Sequence, residues 1–163
     1  TTWQALDSIS RTFLGSAEKI FRDHRSDPAF DFGAVIGLFA KVLEVEINAR
    51  MHSGLANTPD EARLQNVDGK SVDLSKTRLT LGQLAHALAG SQARHFALCS
   101  RLEHGDWFSG SIAPILKDFI LVRNPGTHEE RVSREIAVRW RNRLVGVGCE
   151  GVVAQLARVR RKD

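Results

Sequence analysis

Apolar residues return at helical spacing along most of this chain. Between positions 3 and 23 they fall at Leu6, Ile9, Phe13, Ala17, Ile20 and Phe21, one stripe of an amphipathic helix. Ser26-Asp27-Pro28 breaks that stripe. A second apolar face, Val35, Ile36, Phe39, Val42, Leu43 and Ile47, predicts a helix over about 32–51, with Lys41, Glu44, Glu46 and Arg50 at polar positions. Residues 53–78 lose the period and read as a long polar loop, with a short helical piece near 59–65 and a turn at Asp68-Gly69. "LTLGQLAHAL" opens a short helix at 79–88, with Thr80 as its cap and Gln83 three residues on. Another helix is expected over about 91–104, stopping at Gly105. The next is expected near Ser111, with Ile112, Ile115, Leu116, Phe119 and Ile120 buried and Pro114 in its first turn. Ser133 caps a helix in which Ile136, Ala137, Trp140 and Leu144 repeat. "VGVGCEG" interrupts it, and a last short helix carries Val152, Val153, Leu156 and Val159. No strand-like alternation persists and no internal repeat appears. The pattern predicts an all-α bundle of about four main helices with short accessory ones.

At 163 residues this is the size of one domain, long enough to bury a core without metal or disulfide staples. The two cysteines, Cys99 and Cys149, form no C-x-x-C pair and have no zinc-ligand spacing. They read as reduced thiols of a cytoplasmic protein. No apolar run approaches the ~18 residues of a membrane span, and no signal-peptide pattern opens the sequence. A first residue of Thr is compatible with excision from a longer protein. The formal charge is +4, and the excess sits late: from Arg123 onward there are nine Arg and one Lys against five acidic residues. Arginine forks suit bidentate contact with phosphate, although a solvated helix face with a basic tail over 159–163 would carry the same charge.

The chemically pointed stretch is "LVRNPGTHEE", 121–130. Asn124 precedes proline and is pushed away from α geometry. Gly126 accepts backbone angles that other residues avoid. The preceding helix should therefore end or kink near Arg123. Thr127 and Glu130 have capping-box spacing, with Ser133 a competing cap. In an unbroken helix Arg123 and His128 would lie about 140° apart; a bend, or a second chain, lets both enter one cleft. Arginine can neutralise a phosphate, histidine can move protons near neutral pH, and Asn124 can orient either. Together they meet the needs of RNA strand cleavage without metal, the ribose 2′-OH supplying the nucleophile. The same residues could instead cap the last carbonyls of the preceding helix.

"RNPGTH", Arg123 to His128, in this setting resembles the hallmark of the HEPN family: an Arg, often followed by Asn, then four to six residues to a His, late in a helical bundle. "IAPILKDFILV" before it, "VSREIAVRWRNRLVG" after it, "LFAKVLEVEINARM" and "LTLGQLAHAL" are similar in texture to bacterial members. The resemblance spans about 35–156, with only R-N-x-x-x-H chemically specific. It implies one HEPN-like domain over 1–163, an up-and-down bundle of four to five main helices that forms a homodimer with the two motifs facing. It also implies a metal-independent endoribonuclease with no cofactor, acting on single-stranded RNA in a defence or toxin–antitoxin context and leaving a 2′,3′-cyclic phosphate. By that resemblance Arg123 and His128 are catalytic, Asn124 supports them, and Glu46 is a candidate partner from the second helix, unless it is simply solvated. An antitoxin or a larger parent protein would be the partner chain. One toxin branch carries a modifiable Tyr two positions after the His; Glu130 stands here and the chain has no Tyr. Pro125-Gly126 within the motif is a second departure.

The alternative is a non-catalytic HEPN module for nucleotide sensing or dimerisation. A third reading, a DNA-binding helix in "RVSREIAVRWRNRL", conflicts with the burial that Ile136 and Trp140 require. His24, His52, His86, His95 and His104 are scattered and show no metal-ligand pairing. The glycines of "VGVGCEG" lack the Lys-Ser/Thr of a phosphate loop, and Trp107-Phe108 reads as an inter-helix staple.

Overall fold

One helix, α2 (Gly33–Leu55), is apolar on nearly every side, so it can be stable only at the centre of a bundle. Val35, Ile36, Phe39, Leu43, Ile47, Met51 and Leu55 are all fully buried. The computed structural model describes residues 1–123 and 131–162. Around α2 pack α1 (Ser8–His24), α4 (Leu81–Ala89), α5 (Gln92–Arg101), α6 (Gly105–Arg123), α7 (Arg134–Arg141) and α8 (Val152–Arg158), with a one-turn helix α3 (Asp60–Arg63) at one side. A 3-10 turn at Trp3–Ala5 precedes α1, and a π-helical turn at Asn142–Gly146 follows α7. The chain is predominantly helical, as its periodicity predicts. Among the described residues no helix is long and apolar enough to cross a membrane.

Two predicted caps are seen, and one that was not predicted: Asp7 caps α1 by accepting from the Ile9 amide at 2.9 Å. Thr80 and Gln83 form the reciprocal capping pair of α4, and Ser133 caps α7.

The segment expected as a long loop over 53–78 is largely ordered. It contains the end of α2, then α3, then a two-stranded antiparallel hairpin of β1 (Leu64–Val67) and β2 (Lys70–Asp73). Leu64 pairs with Asp73 and Val67 with Lys70 around the Asp68-Gly69 turn, where both φ values are positive. The turn was legible, but strands of four half-exposed residues are too short to show alternation. The chain is therefore not strictly all-α. The buried Arg94 of α5 ties this region down through neutral acceptors: the carbonyls of Ala62 (2.9 Å) and Ala87 (2.5 Å) and the Gln65 side chain (2.6 Å). Its burial lowers the guanidinium pKa from the ordinary value.

At the base of the hairpin the Asp73 carboxyl is held below its ordinary range, first by the Ser75 hydroxyl at 2.6 Å and also by the Ser75 amide and Arg63. A depressed folded-state pKa contributes stability that is complete above the unfolded value of about 3.9 and is lost as pH falls through the folded value. Amide protection factors across β1 and β2, corrected for the intrinsic rate at each pH, should therefore fall on acidification below about pH 4, and Asp73→Asn should flatten that dependence.

Asn48, on α2 and buried, clamps the segment entering α4. Its side chain donates to the Leu79 carbonyl (2.9 Å) and accepts from the Leu79 amide (2.8 Å), and it also donates to the Glu44 carbonyl. Asn48→Ala leaves both Leu79 groups without partners and should cost about 1–3 kcal/mol in urea denaturation.

Gly105 begins a helix instead of ending one. A Cβ there would lie 2.3 Å from the Leu98 carbonyl oxygen, so only glycine permits the α5–α6 corner. Phe108, Ile112, Leu116 and Phe119 then follow one buried stripe, and that burial outweighs the poor helix propensity of "SGS". Pro114 consequently stands inside α6, not in its first turn. It removes the amide that would have bonded to the Gly110 carbonyl. The glycines of "VGVGCEG" also serve the chain path: Gly146 has φ of 92°, and a Cβ on Gly151 would sit 2.5 Å from the Leu144 carbonyl oxygen. The basic end is not a loose tail. Arg161 bridges to Leu102, the Glu103 amide donates to the Arg160 carbonyl (2.8 Å) and the Lys162 amide to the Arg101 carbonyl (2.9 Å).

Candidate functional site

Three elements converge at Arg123. Arg123, the last described residue of α6, has a side chain 38% exposed, with Nη1 3.4 Å from Glu44 Oε1 on α2. The same Glu44 oxygen accepts from the Leu81 amide in the first turn of α4, at 3.3 Å. Glu44 is 18% exposed in its side chain and so receives one donor from α4 and one from α6. A pair this long and this wet contributes little to stability; its consequence is to hold the guanidinium at the surface. Asn124 and His128 lie outside the described residues. Where the description resumes, Arg131 donates to the Ala29 carbonyl, and Val132 is tied on both sides: its amide donates to Asp31 Oδ1 and its carbonyl accepts from the Phe32 amide.

Glu46, the carboxylate that the family resemblance pointed to, is not beside Arg123. Two residues along a helix turn about 200°, so Glu46 faces away from Glu44. It is wholly buried, ion-paired with Arg50 one turn on, and accepts from the Asp7 amide at 2.9 Å. It joins α2 to the start of α1. The acidic neighbour of the motif arginine is Glu44.

On the α7 side of α6, a different face from that of Arg123, a groove of about 390 Å³ is lined by Asp118, Leu121, Val122, Arg139, Trp140 and Arg143. Leu121 is 81% exposed. Trp140, buried, packs edge-on against Phe119 with ring centres 4.8 Å apart and carries the Arg143 guanidinium over its ring at 4.9 Å. Not all of the late arginines face solvent for a phosphate. Arg141 grips Glu18 with two nitrogens at 2.7–3.0 Å, Arg158 pairs with Glu150 at 2.6 Å, and Arg134 donates to the Arg25 carbonyl. Of these only Arg141 fastens two helices, α7 to α1; Arg134 and Arg158 stay exposed. The Glu135 carboxyl lies below its ordinary range because its own backbone amide and the Ser133 hydroxyl donate to it.

Among the described residues no three His, Cys, Asp or Glu side chains gather as a metal site. His52 is bonded to the Thr77 carbonyl, and His24 stacks flat on Phe30 at 3.9 Å. Glu44 was visible in the sequence only as one more polar position on α2. Its i, i+4 spacing with Asn48 is the signal that places it on the α4 side. No family model, no curated protein and no solved structure matches this chain.

Proposed function

We propose that this chain is a metal-independent ribonuclease of the HEPN type, acting on single-stranded RNA as a homodimer in a defence or toxin–antitoxin setting. The observation that carries the reading is Arg123 on α6, its guanidinium partly exposed and steadied by Glu44. His128 follows five residues later in the sequence. The guanidinium is long enough to leave a 3.4 Å ion pair and take a phosphate bidentately. In the reaction the 2′-OH attacks the adjacent phosphorus, His128 moves the proton, and Arg123 neutralises charge building on the phosphate oxygens. The products are a 2′,3′-cyclic phosphate and a free 5′-OH. Leu121, exposed on another face of α6, offers apolar contact to a second copy. Glu44 is a positioning residue, touching Arg123 and not the substrate.

The test is incubation of single-stranded RNA oligonucleotides with the protein in chelator, with products read by mass spectrometry. Wild type should yield cyclic-phosphate ends and His128→Ala should not. Equal cleavage by both, or none by either, removes the assignment.

A further inference from the structure

The corner between α5 and α6 gathers a second set of reactive side chains. It lies away from the proposed RNA site, since Ser109 precedes Arg123 by fourteen residues on α6, about 21 Å along the axis. His95 and Cys99 stand four apart on α5 and share a face. Ser109, buried, reaches across from α6. His95 Nδ1 is 2.6 Å from Ser109 Oγ, and its Nε2 is 3.6 Å from Cys99 Sγ; Ser109 Oγ is in turn 3.5 Å from that sulfur. These distances allow two proton arrangements. In the one that activates the thiol, Nδ1–H donates to the Ser109 oxygen, the Nε2 lone pair faces the thiol, and the Ser109 hydroxyl proton is free to turn to the sulfur. A nucleophile, a base within reach of it, and a third group that sets the base's tautomer are the parts of an activated thiol.

Two further features lie at the same place. Lys162 Nζ donates to the Cys99 carbonyl oxygen at 2.9 Å, which puts an ammonium next to the residue whose sulfur gains negative charge on attack. His95 and Ser109 also line an open cavity of about 420 Å³, with Lys117 on its wall. The other cysteine, Cys149, is exposed at the surface.

We infer that Cys99 is a nucleophilic modification site for low-molecular-weight disulfides, with His95 as its general base and Ser109 as the positioning residue. As Sγ attacks one sulfur of a disulfide RS–SR, its proton passes to His95 Nε2. The S–S bond breaks, and the departing RS⁻ takes that proton and leaves as RSH. Cys99 keeps the other half as a mixed disulfide, the reduction of RS–SR balancing the oxidation of the thiol. The cavity beside His95 receives the R group, and Lys117 favours one that carries a carboxylate.

The experiment treats the whole folded chain with oxidised glutathione and follows each cysteine separately by peptide mass spectrometry. Cys149 is the internal reference. Cys99, although less exposed, should react faster than Cys149 by roughly tenfold or more, since general-base assistance of about 10²- to 10⁴-fold outweighs its lower exposure. His95→Gln and Ser109→Ala should remove that advantage while leaving the Cys149 rate unchanged, and a wild-type circular-dichroism melt reports that the variants are folded. A smaller advantage in the wild type overturns the inference. An advantage that survives His95→Gln overturns the base, and one that survives Ser109→Ala overturns the positioning role.

Discussion

Arg123→Ala should lower cleavage of single-stranded RNA by roughly 10²- to 10³-fold, the cost of removing one donor that meets developing charge. The melting temperature should hardly move. The side chain is substantially exposed and its pairing with Glu44 is long, so its deletion disturbs no packed core. Arg123→Lys should restore only part of the rate, because an ammonium keeps the charge and loses the planar fork. Glu44→Gln should fall between wild type and Arg123→Ala, since Leu81 and Arg123 keep an acceptor but lose its charge. Initial rates under substrate excess, with product ends identified, decide these outcomes. Wild-type rates for Arg123→Ala would end the proposed role of this residue.

The largest stability effect belongs to Glu46. Glu46→Ala should cost about 3–5 kcal/mol, the range for breaking a buried ion pair from one side. It strands the Arg50 guanidinium, which is nearly as buried and also donates to the Leu156 carbonyl at 3.2 Å, and it leaves the Asp7 amide without its acceptor. Glu46→Gln should cost less, because an amide oxygen can still accept from Asp7. Chemical denaturation measures both. RNA cleavage per folded molecule should be unchanged in either variant, in contrast to Arg123→Ala. That contrast separates the stability residue on α2 from the positioning residue two places before it.

Helical class, most helix positions and the caps at Thr80 and Ser133 could be read from the sequence, because they depend on spacing within one segment. The hairpin could not. Its strands are short and half-exposed, and their anchor, Arg94, comes some thirty residues later and bonds to neutral groups that no charge pattern reveals. The start of α6 was misplaced for a similar reason: Gly105 resembles a stop locally, and only its close approach to Leu98 shows that it is a corner. Arg123 lies on α6, and the Asn-Pro-Gly break expected after it falls outside the described residues. That Glu44 and not Glu46 meets Arg123 depends on which side of α2 each occupies. Since α2 is apolar nearly all round, its pattern does not tell the side that meets α4 and α6 from the side that meets α1.

The ties that close the bundle join distant parts of the chain. Arg50 reaches Leu156 across 106 positions, and Arg141 reaches Glu18 across 123. During translation at roughly 5–20 residues per second, α2 is made roughly 5–20 s before the helix that completes its surroundings. Over that interval the nascent chain carries an oily central rod and an acid without its full shelter. Newly made molecules should therefore depend on holding chaperones at the ribosome, and the final fold should form in a late step, after the last helix has emerged.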